Sequence, residues 1–521
     1  MGLKIRFPLV GFAVVLSAAL SVAASLEPGI PFADGMVLQR GMPVPVWGSA
    51  DAGAKVTVSF GGCERTVCAD SEGRWMARLD PLEASGEGRT LRLCACSPDG
   101  TVSTRELRDV LVGEVWFASG QSNMDCPIWG DNARYRDAKG SMTVAMSRKP
   151  AIRYVANQPR SSVRPVTTGS VVWRKLTPED FALPGKKISA VACYYALEIH
   201  NALGVPVGIV QSALGDTSID AWTPACGYEG VPELADLATY PLDRPWTDDM
   251  KAFPITGEEQ RPTVLWNGMV AGFAPMALRG VIWYQGCHNG YTIREQRRYG
   301  AKLRALYRGW SRAFGNGNLR FYFAMLAPWQ RNWFELQLAQ ASFAAEEPNA
   351  AVAVLCDCGN PDDIHPNDKE IVAKRLAAHA LRRDYGFEAL EDDSPTVHAC
   401  RAEGKTLVLE LDHAKAVYVY NRNRSTEAPF ELAGEEGVWL PAKIVNFPTE
   451  RRDGRDVPDC GGFLTGGARI VLRADGLDRP LRCRYLYQRP WIGCVYADSS
   501  LPLGPFEVQA VGCDGASKET K

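Results

Sequence analysis

The stretch from Gly113 to Met124, Gly-Glu-Val-Trp-Phe-Ala-Ser-Gly-Gln-Ser-Asn-Met, constrains this chain more than any other. Val115, Trp116, Phe117 and Ala118 form an apolar run of the kind a parallel strand covered on both faces needs, and the run stops at Ser119-Gly120, where the backbone can turn. Ser122 then falls just past the carboxyl end of a central strand, which is where open α/β sheets bind ligands. A serine in that place can present its hydroxyl to a substrate while nearby backbone N–H groups receive an oxyanion. Without a partner base it is an ordinary turn residue.

Around this element, strand and helix alternate from about residue 109 to residue 384. The patterning predicts strands over Val205 to Ala213, Gly280 to Tyr284, Leu319 to Leu326 and Ala351 to Leu355. It predicts helices over Val191 to Leu203, closed by Gly204, then from about Arg294 to Phe314 and from about Trp333 to Glu346. A last helix starts after His365-Pro366, with Asn367 and Glu370 at capping-box spacing. The polar stretch from 125 to 185 is expected to be irregular. Five strands alternating with helices make a three-layer α/β/α domain. Residues 25–108 and 385–521 are instead rich in short alternating stretches, such as Lys55 to Phe60, Thr406 to Leu411 and Ala416 to Tyr420, and read as β-sandwich domains. The polar tail from Asp514 is expected to be disordered.

At 521 residues the chain exceeds one compact core, in keeping with about three domains. Its 58 Lys and Arg nearly balance 60 Asp and Glu, so nothing points to nucleic acid or an anionic membrane surface, and a small neutral substrate is compatible. Lys4 and Arg6 precede an apolar stretch from Phe7 to about Val22, and Ala23-Ala24 offers a small-residue cleavage site. Residues 1–24 therefore read as a signal peptide, which implies an exported, periplasmic or extracellular protein with no membrane span afterwards. Export permits disulfides, and the odd count of 15 cysteines leaves at least one unpaired. Cys94-Ala-Cys96 and Cys356-Asp-Cys358 alternate in strand-like segments without a second pair at zinc-site spacing.

Three more segments lie at carboxyl ends of predicted strands. Leu214 to Trp222 would bring the Gly215 N–H near the serine. Trp283 to Asn289 offers the Asn289 amide. Asp362-Asp363-Ile364-His365 sets a histidine beside two carboxylates. A nucleophile, two oxyanion donors and a base thus arrive on one rim.

These stretches resemble the sialate O-acetylesterase family of SGNH-type carbohydrate esterases. Gly-Gln-Ser-Asn-Met (120–124), Gly-Asp-Thr-Ser-Ile-Asp-Ala-Trp (215–222), Trp-Tyr-Gln-Gly (283–286) with Asn289, and Asp-Ile-His-Pro (363–366) carry the resemblance. It extends to Met36-Val-Leu-Gln-Arg40 and Pro43 to Gly48 near the start, and to Leu501 to Phe506 near the end. The resemblance implies an SGNH-hydrolase (flavodoxin-like) domain flanked by β-sandwiches. It implies Ser122 as nucleophile on an acetyl ester, His365 as its base, and the Ser122 N–H, Gly215 N–H and Asn289 amide as the oxyanion site, with no metal and no cofactor. Asp362 has the Asp-x-x-His spacing of the wider superfamily and is the first choice to orient His365; Asp363, in Asp-Ile-His, is the alternative. Gln121, Asn123, Trp222, Asn267 and Gln285 are the expected substrate-binding residues, and Trp222, Trp266, Trp283 and Tyr284 are possible sugar walls or core.

Two departures stand out. After Trp-Tyr-Gln-Gly the family usually carries a glutamate, where this chain has Cys287, followed by His288; and Leu214 stands where a second glycine is more usual. The implied activity is removal of O-acetyl groups from sialic acid or from an acetylated polysaccharide. The alternative is a weakened or inactive carbohydrate-binding homologue, because of Cys287.

Overall fold

The computed structural model describes residues 25–127, 148–177, 188–420, 427–452, 455–459, 462–487 and 492–511. The expected signal peptide, the tail from Asp514 and two parts of the stretch expected to be irregular lie outside these.

The strand that ends at the serine, β1 (Val102–Gly120), is 19 residues long. Helix α1 (Ser122–Asp125) follows it, then β2 (Ile152–Ala156), α2 (Ala190–Leu203), β3 (Val207–Ala213) and α3 (Ile219–Trp222). The region continues with β4 (Gly280–Tyr284), α4 (Ile293–Phe314), β5 (Arg320–Ala324), α5 (Phe334–Glu346), β6 (Ala350–Ala353) and α6 (Lys369–Tyr385). The six strands lie in the order β2-β3-β1-β4-β5-β6 with every pairing parallel, and Arg174–Lys175 adds an antiparallel edge beside β2. Strand order reverses direction at β1, with β3 on one side and β4 on the other. This is a topological switch point, and the crevice it opens lies at the carboxyl end of β1.

Trp116 and Phe117 explain why helices cover both faces. Neighbours on a strand point to opposite sides. Trp116 meets Tyr195 of α2 edge-on at 5.2 Å, whereas Phe117 meets Trp310 of α4 at 5.2 Å. Both rings are fully buried. Helix α2 pairs with α6, and α4 with α5.

Local chemistry sets the helix ends. The Ser189 hydroxyl accepts the Ala192 N–H at 3.1 Å and Gly204 closes α2 in the left-handed region. Helix α6 departs from expectation: Asp368 caps it, accepting the Ile371 N–H at 3.0 Å, so the cap falls one residue after Asn367. Strand β2 was also not expected. Its five residues are nearly all buried, but polar flanks hide them inside a stretch that reads as irregular. Cys356-Asp-Cys358 lies beyond the end of β6 rather than within a strand. Among the described residues no two cysteines are joined in a disulfide.

Residues before β1 form two antiparallel layers. Leu26–Pro28, Val44–Ala50 and Arg74–Leu79 make one; Cys63–Cys68, Lys55–Phe60 and Ser85–Cys96 pair in the other, which continues into the first half of β1. The expected boundary at 108/109 thus falls inside a continuous strand, at Asp109 with φ 56°. Val37–Gln39 runs parallel to Leu111–Gly113, and its loop carries charge to the base of the sheet: buried Glu114 accepts from Arg40 at 2.6 Å, Gln39 at 3.0 Å and Arg279 at 3.2 Å. After α6, seven antiparallel strands between Thr396 and Gln509 form a sheet with its own apolar core, joined to the central sheet through Met325, Val354 and Cys356.

Candidate active site

Gly120 ends β1 with φ 141°, and a Cβ there would lie 2.3 Å from the Tyr284 carbonyl oxygen. Only glycine fits this turn. The Gln121 N–H then donates to that carbonyl at 2.9 Å, which delivers Ser122 to the start of α1. Its Oγ sits 2.9 Å from His365 Nε2, a hydrogen bond across 243 residues of sequence. Ser122 and His365 are both partly exposed, so a solute can reach them.

His365 is presented by a turn just before α6. The Asp363 N–H donates to the Asn360 carbonyl at 3.0 Å, and the His365 N–H donates to Asp363 Oδ1 at 3.0 Å. The same oxygen lies 3.7 Å from His365 Nδ1, within ion-pair range and beyond a direct hydrogen bond. Asp362, the first choice by spacing, is exposed and has its N–H bound to Asn360 Oδ1 at 3.0 Å. The turn folds Asp363, not Asp362, back toward the imidazole.

Gly215 follows β3 and packs directly on the serine: a Cβ built there would touch Ser122 Cβ at 3.6 Å. Neither the Ser122 nor the Gly215 N–H donates to a described acceptor. Asn289 is fully buried, and its amide orientation is fixed on both sides. Its Oδ1 accepts from the Ile219 N–H at 3.1 Å and from Gln285 Nε2 at 2.9 Å, while Nδ2 donates to Glu295 Oε2 at 3.3 Å. One amide proton remains for another acceptor.

Glu295 belongs to a buried charge triad that sequence reading missed. Lys302 Nζ donates to Asp220 Oδ2 at 2.7 Å and also to Glu295 Oε2. Burial pushes the Asp220 carboxyl up. Glu295 and Lys302 stand seven apart on α4, hence on one face, which is a signal the sequence does carry.

The expected substrate contacts are mostly internal. Gln285 donates to the Thr217 carbonyl at 3.0 Å and accepts from the Tyr299 hydroxyl at 2.7 Å. Gln121 Oε1 accepts the His288 N–H at 3.2 Å. Asn123 Nδ2 donates to the Ile364 carbonyl at 3.1 Å, and its Oδ1 accepts from Lys369. Trp222 is fully buried, bonding Thr217 Oγ1 at 3.0 Å and packing on Trp283. Trp266, Trp283, Tyr284 and Asn267 are buried as well. These rings are core, because the apolar layer under the crevice needs their volume.

Cys287 and His288 do not face each other. Asn123 Nδ2 lies 3.9 Å from Cys287 Sγ. Burial pushes the Cys287 thiol up to about 12, against the pull of Lys369, so it is protonated at neutral pH. The His288 ring bonds Asp216 Oδ1 at 3.0 Å and the Pro254 carbonyl at 2.8 Å. Burial also brings the Lys369 ammonium down to about 8.

Residues 112–382 match the family described as carbohydrate esterase, sialic acid-specific acetylesterase. The human sialate O-acetylesterase is 26% identical over 507 residues, covering 90% of this chain and 90% of that protein. Its rat counterpart is 26% identical over 461 residues, covering 80% and 84%. A solved carbohydrate acetylesterase from Xanthomonas citri is similar throughout, with TM-score 0.73 and 29% identity over 92% of this chain and 99% of that one. No described helix is long and apolar enough to cross a membrane. With just over half of its residues matched by one family, this chain belongs to the sialic acid-specific acetylesterase family of carbohydrate esterases and is a carboxylic ester hydrolase acting on acetylated sugars.

Proposed function

We propose that this chain is a serine esterase that removes O-acetyl groups from carbohydrates through an acetyl-enzyme on Ser122. The 2.9 Å contact between Ser122 Oγ and His365 Nε2 carries the reading. Ser122 Oγ attacks the acetyl carbonyl carbon as its proton passes to His365 Nε2. The oxyanion is received by the Ser122 and Gly215 N–H groups and by the remaining Asn289 amide proton; each such donor contributes roughly 3 kcal/mol in the transition state. Collapse breaks the bond to the sugar oxygen, which leaves with the proton from His365. Water, deprotonated by the same imidazole, then releases acetate and restores the serine. Asp363 stands behind His365 and favours the imidazolium that forms.

The parallel sheet with its crevice at β1 supports an SGNH-type catalytic domain over residues 109–384. The antiparallel layers on either side support β-sandwich domains at 25–108 and 385–521. The basic and apolar pattern of residues 1–24 supports export.

The competing reading is a lapsed esterase, motivated by a neutral thiol at Cys287 where the family usually has a carboxylate. Acetate release from p-nitrophenyl acetate and from acetylated sugars separates the two. Turnover by wild type and its loss in Ser122→Ala supports the esterase. An inert wild type with activity gained by Cys287→Glu supports the lapsed form.

A further inference from the structure

We propose that Arg331 is the anchor for the carboxylate of an acidic sugar, held on an aromatic shelf beside the Ser122 crevice. Its location rests on how the loop between β5 and α5 is wedged. A Cβ at Gly359, on the loop that leads to His365, would lie 2.5 Å from the Pro328 carbonyl oxygen. A Cβ at Gly290 would lie 2.5 Å from the Trp333 ring. The Pro328 to Trp333 segment is therefore packed between the histidine loop and the turn that carries Asn289. Trp329 stacks on Trp333 at 5.3 Å and 23°.

On this base the Arg331 guanidinium lies 4.3 Å above the Tyr291 ring and 5.9 Å from that of Trp329. Tyr291 meets Phe253 edge-on at 6.1 Å, and Phe253 stacks on His288 at 5.2 Å. The His288 N–H in turn bonds Gln121, the residue before Ser122. A chain of contacts, buried at Gln121 and His288 and exposed at Phe253 and Tyr291, thus links the serine turn to Arg331. Phe253 and Tyr291 are 38% and 37% exposed, large values for aromatic rings in a chain that buries most of its others.

The chemistry follows from how the guanidinium is held. Stacking occupies its face and leaves the N–H edge in plane for two parallel bonds to a carboxylate. Arg331 forms no ion pair with a described carboxylate. The nearby Asp216 carboxylate is exposed but bound to His288 Nδ1 at 3.0 Å. The exposed aromatic faces suit the C–H face of a pyranose. A neutral polysaccharide offers this cation only hydroxyl acceptors; a sugar bearing a carboxylate, sialic or uronic, offers an opposite charge and a bidentate acceptor. The inference rests on the esterase reading only in taking the Ser122 crevice as the place where the ester lies.

Calorimetric titration of the full chain with N-acetylneuraminic acid, galacturonic acid and the methyl ester of each tests this without turnover. Wild type binds at least one free acid about ten- to hundredfold more tightly than its methyl ester, and Arg331→Gln loses that difference while unfolding at the same temperature as wild type. The acid that shows the difference identifies the sugar class. Equal or undetectable binding of acid and ester by wild type, or a preference that survives in Arg331→Gln, overturns the proposal. Loss of acetate release in Ser122→Ala bears only on the nucleophile and leaves this readout intact.

Discussion

Asn123 Nδ2 donates to the carbonyl of Ile364 at 3.1 Å, which ties the residue after the serine to the residue before the histidine. Lys369, at the first turn of α6, holds the other end of the same amide. The Ser122–His365 distance is thus set from behind by one buried side chain. Asn123→Ala should lower kcat by about ten- to a hundredfold with a smaller change in KM, because slack in this strut misplaces the base. Steady-state kinetics on p-nitrophenyl acetate check it; unchanged kcat removes Asn123 from the positioning account.

The two aspartates should separate cleanly. Asp363→Asn is expected to lower kcat by about a hundredfold or more, whereas Asp362→Asn stays within about twofold, since only the Asp363 carboxylate lies near Nδ1. The reverse order would restore the Asp-x-x-His spacing as the working arrangement.

Lys369 makes stability depend on alkaline pH in a defined direction. Its ammonium keeps its proton up to about 10.5 in the unfolded chain but only to about 8 in the folded one. Between those values the unfolded state binds the extra proton, so stability rises with pH across the window and is flat below it. Denaturant unfolding of wild type and Lys369→Met over that range should show this as a difference curve rising from about pH 8. A falling curve contradicts a desolvated amine.

Cys287 should be chemically silent despite lying near the crevice. A buried thiol held up to about 12 has almost no thiolate at pH 8. Brief iodoacetamide treatment of the folded protein, followed by peptide mass spectrometry, should label exposed Cys68 and Cys96 and spare Cys287. Rapid Cys287 labelling with loss of activity would revive a cysteine nucleophile.

Much of this site is legible in the residues, for reasons that can be named. The apolar run before Ser119-Gly120 marks β1, and Gly120 makes a turn that only a glycine can make, which sets Ser122 just past the strand end, 2.9 Å from His365 Nε2. The choice between Asp362 and Asp363 is not legible, because it depends on the Asn360 turn. Nor is the fate of the aromatics: Trp222 and Trp283 pack inside while Phe253 and Tyr291, in segments without strand or helix periodicity, stay exposed. Asn123, Gln121 and Gln285 look like substrate contacts in a motif, yet buried amides bond first to the protein around them.

The most direct measurement is to quench the enzyme in acid during turnover of p-nitrophenyl acetate and map the acetylated peptide by mass spectrometry. The account predicts one acetyl group, on the peptide containing Ser122 and located at Ser122, and its absence from Ser122→Ala. An acetyl group on another residue, or Ser122→Ala turning over like wild type, would contradict it.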